Sequence, residues 1–420
     1  MTKTGFWLGV VLLALAGCAD TGPVAPAEGR KAVILAENPE QAQGTVRPAA
    51  AVKNANRTMA GYNAQNKAPV SAWNGHLDKP VVVSAGKGIT SESVVLAAPV
   101  ILGKTIYTLD SRFVLQATNL ETGKRLGRQK LADIKGTTAK SVGLATDGTR
   151  LYAVAGDGRV MATDLSGNKI WEQALNIPLR SAPVIADGRL YVSSLNNELV
   201  ALAVKDGTRV WSYNEAPTTT NFFGMGAPAA GSGLVVMPTT NGRINALDAQ
   251  TGVLLWTETV WAKRTFNTML DMPHIVAAPV IADGQIYVVG NAGKAGAWRL
   301  NDGTPIFEVS LGGRQTPIVS GNVMILISNQ NQMVALDRRN GRVFWQQDLT
   351  SDTAGVEWYG PAATDRGLIA TSSAGDIVVL NPANGQVQKQ TRVAPIAVAP
   401  VVAGGRLVIL TQEADILIYQ

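Results

Sequence analysis

The stretch Ala182-Pro183-Val184-Ile185-Ala186-Asp187-Gly188-Arg189-Leu190-Tyr191 returns almost letter for letter as Ala278-Pro279-Val280-Ile281-Ala282-Asp283-Gly284-Gln285-Ile286-Tyr287. In each copy a short apolar run meets an Asp-Gly pair and gives way to an alternating run such as Leu190-Tyr191-Val192-Ser193. Asp-Gly tolerates the positive φ of the tight turns that join antiparallel strands, and a period of two marks a strand. The cassette therefore opens with a hairpin. A polar turn at Asn196-Asn197, a third apolar run Leu199-Val200-Ala201-Leu202, a turn at Asp206-Gly207 and a fourth run closing on Trp211 complete it. Four strands per copy predict one propeller blade.

Outward from this stretch, the opening Pro recurs at Pro99, Pro183, Pro228, Pro279, Pro317, Pro361 and Pro400, with a degenerate copy at Gly143-Leu144-Ala145-Thr146-Asp147-Gly148, so the cassette occurs eight times. A period of about 40 residues indicates a stacked or radial array. The expected fold is all-β: an eight-bladed β-propeller with four antiparallel strands per blade. After Pro400 only Arg406-Leu407-Val408-Ile409-Leu410 and Asp415-Ile416-Leu417-Ile418-Tyr419 follow, which leaves the last blade without an outer strand. Residues Ser71 to Ser84, with Trp73 and Val81-Val82-Val83, are expected to supply it and close the ring, leaving no long edge to pair with other chains.

The fourth strand ends on Gly-x-x-x-Trp: Gly167 to Trp171, Gly207 to Trp211, Gly252 to Trp256 and Gly341 to Trp345. Phe307 stands in after Gly303, while the first and last copies have Gly127 and Lys389. An indole offers about 150–250 Å² of burial and an N–H that needs a partner, so Trp171, Trp211, Trp256 and Trp345 are expected to dock each blade on its neighbour. The plainer alternative is simply a large core residue, which predicts the same destabilisation on truncation.

Hydrophobic residues make up 46% of the 420 and charged residues 16%, enough to bury a large core, and the 43 glycines suit many tight turns. No long amphipathic helix is legible after residue 71. The balance of 37 basic and 31 acidic residues gives +6, a solubility setting rather than a binding surface, and no Lys/Arg cluster points to nucleic acid. Cys18 is the only cysteine, which excludes an intramolecular disulfide and a thiolate metal site. His76 and His274 lie in different segments, and Asp187, Asp248, Asp283 and Asp337 read as solvated turn residues. Hard cations need several oxygens converging on one point, and the sequence presents no such set. Hence no catalytic residue, metal site or cofactor is assigned.

Residues 1–17 read as a secretory signal: Lys3, an apolar run from Phe6 to Leu15, and small residues before Cys18. The tetrapeptide Leu15-Ala16-Gly17-Cys18 resembles a bacterial lipobox, which implies cleavage before Cys18 and acylation of its thiol and new amine. The alternative is an ordinary signal with an incidental cysteine. Each buried acyl CH₂ contributes about 0.8 kcal/mol, and several chains make attachment stable. Ala19 and Asp20 follow the cysteine, and by analogy with enterobacterial sorting this order implies the outer membrane, periplasmic face. Residues 18–70, rich in Ala, Pro, Gly, Asn, Gln and Lys, are expected to form a lipidated flexible tether, and 71–420 the propeller.

Taken together, eight cassettes of the Pro-Val-x-x-Asp-Gly-x-x-Tyr kind, the Gly-x-x-x-Trp ends and the lipobox resemble the BamB family, lipoproteins of the outer-membrane β-barrel assembly machinery. Their repeat type is named for pyrroloquinoline quinone enzymes. The resemblance implies a non-catalytic scaffold whose partners are a central, BamA-like barrel-assembly protein with its complex and unfolded barrel clients. It further implies that the connections entering two adjacent blades contact that central protein. Here they hold Thr218-Thr219-Thr220-Asn221-Phe222-Phe223-Gly224 and Met269-Leu270-Asp271-Met272. The candidate partner-binding residues are Thr220, Phe222, Phe223 and Asp271. The family's basic position falls on Phe223, and of its acid pair only Asp271 is present. Adjacent phenylalanines in a Thr-rich loop suit exposed aromatic anchors, the alternative being that they fold back to plug the funnel. Two rival classes share the repeat: a quinone-dependent dehydrogenase, and a propeller that binds another envelope component.

Overall fold

The structure, a computed structural model, describes residues 41–53, 56–90, 96–134, 142–216, 225–261 and 272–420. Among them are eight four-stranded antiparallel sheets and no helix, and the sheets form an eight-bladed β-propeller. We number the blades along the chain from the one that begins at Val100. The third runs from the axis outward as Val184–Ala186, Arg189–Ser193, Glu198–Ala203 and Arg209–Asn214.

Register explains the recurring letters. Val184 lies opposite Tyr191, Tyr191 opposite Ala201, and Ala201 opposite Trp211. A small residue thus separates two aromatic rings on one blade face, and the same row reads Ala145, Tyr152, Ala162, Trp171 in blade 2. The pairing of third and fourth strands slips immediately after that alanine in both blades. Tyr191 and Trp211 meet at a tilted 5.8 Å centroid separation, as do Tyr152 and Trp171 at 6.0 Å.

Because the blades stack face to face, the core lies between them. Tyr152, Val154, Val160 and Ala162 of blade 2 pack on Leu190, Val192, Val200 and Leu202 of blade 3. The second strand, which the sequence marks by alternation, is consequently buried on both sides through Leu190, Tyr191 and Val192. Alternating exposure survives on the perimeter, where Arg209–Asn214 buries Trp211 between exposed neighbours.

The ring closes as expected, but with a shorter strand. Val81–Ser84 pairs antiparallel with Asp415–Tyr419, Val81 opposite Ile418 and Ser84 opposite Asp415. Ser71 and Trp73 instead make isolated parallel bridges to Thr364 and Gly405, at the hairpin turns of blades 7 and 8.

The expected tether needs correction in its described part, since residues 41–53 and 56–70 are seated on the disc. The innermost strand of every blade has an edge with no strand partner, and its buried backbone groups need partners. The N-terminal segment supplies them. Ile101, Thr146, Ala230 and Ile281 donate their N–H groups to the carbonyls of Arg57, Thr58, Ala64 and Gln65 at 2.7–3.0 Å. Ile185 N–H reaches Met59 Sδ, and Val402 N–H donates to Tyr62 Oη at 3.0 Å. Blades 6 and 7 are met through Ala49 N–H to Ser320 Oγ and Ser71 N–H to the Ala363 carbonyl. Donors run the other way as well: Arg57 Nη1 to the Pro99 carbonyl at 2.6 Å, and Asn66 Nδ2 to those of Pro228 and Pro279, both at 3.0 Å. Residues 57–66 thus plug the axis. A composition poor in apolar residues predicts disorder only where no folded surface offers unpaired backbone.

Candidate partner-docking face and blade seams

In a four-stranded up-and-down blade, the turns between strands one and two share a disc face, and the connection to the next blade leaves from the opposite one. The N-terminal segment binds the first kind of turn: Asn56 Oδ1 accepts from Gly103 N–H, Asn322 Oδ1 from Arg47 N–H, and Lys67 pairs with Asp283 at 3.5 Å. The ends of the chain flanking 217–224 and 262–271 therefore emerge on the other face, free of the plug.

Thr220, Phe222, Phe223 and Asp271 lie outside the described residues, as does Cys18. The roots of their loops are described and firmly held. Asn197 Nδ2 donates to the Ala216 carbonyl at 3.1 Å, while Asn197 Oδ1 accepts from both Thr240 N–H and Thr240 Oγ1. Glu215 accepts from Asn241 Nδ2 at 2.8 Å, from Arg243 Nη1 at 3.3 Å and from Asn245 Nδ2. Beyond the second loop, Asn291 Nδ2 donates to the Met272 carbonyl at 3.0 Å and Ile275 N–H to that of Thr239. His274 is buried beside this root, and its carbonyl accepts from Asn291 N–H. Both roots share blade 4: its turn at Thr239–Asn241 touches each.

The seam residues cross between blades. Trp171, Trp211, Trp256 and Trp345 donate their indole N–H to the carbonyls of Val204, Ala249, Leu300 and Pro382, each in the following blade, at 3.0–3.2 Å. Tyr191 Oη reaches the same Ala249 carbonyl at 3.3 Å. The indole face lies against the glycine that opens the next Gly-x-x-x-Trp: a Cβ built on Gly252 would stand 2.6 Å from the Trp211 ring. Gly252 also has φ +74°, a left-handed conformation that disfavours side chains. One motif thus carries the seam's ring and, four residues earlier, the bare backbone that receives the previous blade's ring.

The acids divide. Asp248 is a turn residue whose Oδ1 accepts from Gln250 and Thr251 N–H, and the Thr251 hydrogen bonds hold its carboxyl below the usual range. Asp187 is exposed at φ +48°. Asp283, exposed too, is lowered chiefly by Arg338, whose Nη2 sits 2.6 Å away. Asp337 corrects the reading of solvated turns: it is buried, with Arg339 Nε on Oδ1 and Arg339 Nη2 on Oδ2. Among the described residues no three His, Cys, Asp or Glu side chains gather where they could hold a metal ion.

Arg57, Tyr62 and Asn66 of the plug escaped sequence reading. Their signal was faint: Gly61-Tyr62-Asn63 is a turn around an aromatic in an otherwise polar run.

Ring, repeat and seam define a β-propeller of the pyrroloquinoline-quinone-like repeat class. A family model described as outer membrane protein assembly factor BamB matches residues 111–347 and 293–420. The chain belongs to this family. An outer membrane protein assembly factor BamB of Burkholderia pseudomallei is 24% identical over 323 residues, covering 76% of this chain and 82% of the relative. The crystal structure of BamB from Moraxella catarrhalis superposes with a TM-score of 0.66 at 20% identity, over 81% of this chain and all of that one. A quinohemoprotein alcohol dehydrogenase from Comamonas testosteroni reaches 0.65 at 13% identity, over 88% of this chain and 81% of the other, a likeness of fold.

Proposed function

We propose that this chain is a non-catalytic scaffold subunit of the outer-membrane β-barrel assembly machinery. The observation that carries the proposal is the BamB family match across residues 111–420, most of the ring. Cys18, acylated, would hold the disc at the periplasmic face of the outer membrane, raising its effective concentration for a membrane-embedded partner. Thr220, Phe222, Phe223 and Asp271 would dock the central barrel-assembly protein on the face the plug leaves free. A rigid disc with variable loops suits such a role, because changing a loop does not disturb the sheets that position it. Docked there, it would orient the partner's periplasmic domains. The perimeter of blade 4 is suited to receive unfolded barrel strands: Val253, Leu254 and Leu255 are 59%, 40% and 53% exposed beside an outer strand edge.

The test is a pull-down from detergent-solubilised envelopes, comparing wild type with a variant carrying Thr220→Ala, Phe222→Ala, Phe223→Ala and Asp271→Asn. Wild type should retain one dominant partner, a barrel-assembly protein, and the variant should lose it with thermal stability unchanged. Loss of stability would instead place the phenylalanines inside the funnel. Quinone-dependent redox turnover would overturn the scaffold reading.

A further inference from the structure

We propose that the axial cavity beside the plug binds a small monovalent anion, a halide or a short carboxylate, with Arg57 as its counter-charge. The proposal is independent of any docking partner.

Arg57 is 3% exposed, and a guanidinium stays protonated even when buried. Its neighbours are neutral: the Pro99 carbonyl at 2.6 Å, the Ala60 carbonyl, and the Tyr62 ring with its centroid 5.3 Å from Cζ. Among the described residues no carboxylate pairs with it, and residues 41–77 hold Arg47, Lys53, Arg57 and Lys67 without a single Asp or Glu. Arg57 Nε has no hydrogen-bond partner, nor has Asn66 Oδ1. A buried charge left without an opposite one is strongly unfavourable.

Beside it lies a cavity of about 100 Å³, floored by Arg57, Tyr62 and Asn66 and walled by Thr316, Pro361 and Ala399 at the entries to blades 6, 7 and 8. That is several times what one water requires, so a halide with bridging water, or acetate, fits. Thr316 Oγ1 accepts from Ala278 N–H, which leaves its hydroxyl proton to donate. Thr316 O–H and the second N–H of each Arg57 Nη, whose first goes to the Pro99 or Ala60 carbonyl, are donors of the kind an anion needs, and a single uncancelled positive charge selects a monovalent one. Bound there, the anion would lock the plug against blades 6–8.

The purified full chain is melted at constant ionic strength, so that screening is matched, in chloride, in acetate, and in a bulky sulfonate too large for the cavity. Chloride or acetate should raise Tm by several degrees with a saturating dose response, and the arm that responds identifies the source. The sulfonate should not. Arg57→Gln should abolish the response. Should that variant fail to fold, Ala399→Asp, which puts a carboxylate in the cavity, should remove the dependence instead. Crystals soaked in bromide should show an anomalous peak within hydrogen-bonding distance of Arg57. Equal Tm in all three salts with only water at Arg57, or an undiminished response in either variant, would overturn the proposal.

Discussion

Replacing Trp211 and Gly252 singly and together separates an indole that joins two blades from one that fills its own. Trp211→Ala removes a largely buried ring, its hydrogen bond to the Ala249 carbonyl and its tilted contact with Tyr191. The expected loss is about 3–5 kcal/mol, as for other buried aromatics truncated to alanine. Gly252→Ala sets a methyl 2.6 Å from that ring at φ +74°. The backbone strain costs about 1–2 kcal/mol and the overlap about 1–3 kcal/mol more. In the double variant the ring is gone, so the overlap vanishes and only the strain remains. The two changes should therefore be non-additive, with the pair less destabilised than the sum by about 1–3 kcal/mol. Trp211→Phe, which loses the N–H while Tyr191 still serves Ala249, should cost about 0.5–1.5 kcal/mol. Urea unfolding followed by far-ultraviolet circular dichroism measures all four. Strict additivity would refute the seam, because a ring packed within its own blade would not notice residue 252.

Three further outcomes follow from the structure. Deleting residues 71–85 removes Val81–Ser84 and exposes the edge of Asp415–Tyr419, so the chain should fail to fold; a stable monomer on size-exclusion chromatography would count against ring closure. Gly61→Ala would place a Cβ 2.0 Å from Asn66 Oδ1 and break that side chain's bonds to Pro228 and Pro279. At about 0.5–1.5 kcal/mol per bond this should cost roughly 1–3 kcal/mol and expose residues 57–66 to protease, and an unchanged Tm with intact protection would contradict the plug. Burial pushes the Tyr191 and Tyr287 phenols up from 10.0 to about 12. With folded values above unfolded ones, their stabilisation is complete below pH 10 and lost as pH rises through 12; the urea midpoint should fall across that window, and less steeply with Tyr191→Phe and Tyr287→Phe.

Blade count and strand order were legible because each blade solves the same local problem. Asp187-Gly188 makes a hairpin wherever it stands, and the small Ala201 between Tyr191 and Trp211 recurs because the pleat brings those positions together. The position of the Trp on the outer strand could likewise be read, but not its destination: Trp211 meets Ala249 across 38 positions of chain, a distance no local pattern spans. Burial of both faces of the second strand was hidden for the same reason, since alternation suggests one wet face and only blade stacking removes it. Asp337 read as a solvated turn acid because its spacing matches its repeats, while its burial depends on how the turn packs.

The repeat alone determined the ring, because an array of similar sheets with apolar residues on both faces has few ways to bury both faces of each. Tertiary structure decided what lies at the axis. Residues 57–66 have no periodicity and little apolar surface, and they are ordered by backbone groups that exist as unpaired acceptors and donors only once eight inner strands converge. The lone charge of Arg57 acquires its meaning there too, since a guanidinium is unremarkable in a polar segment and demanding at the centre of a disc.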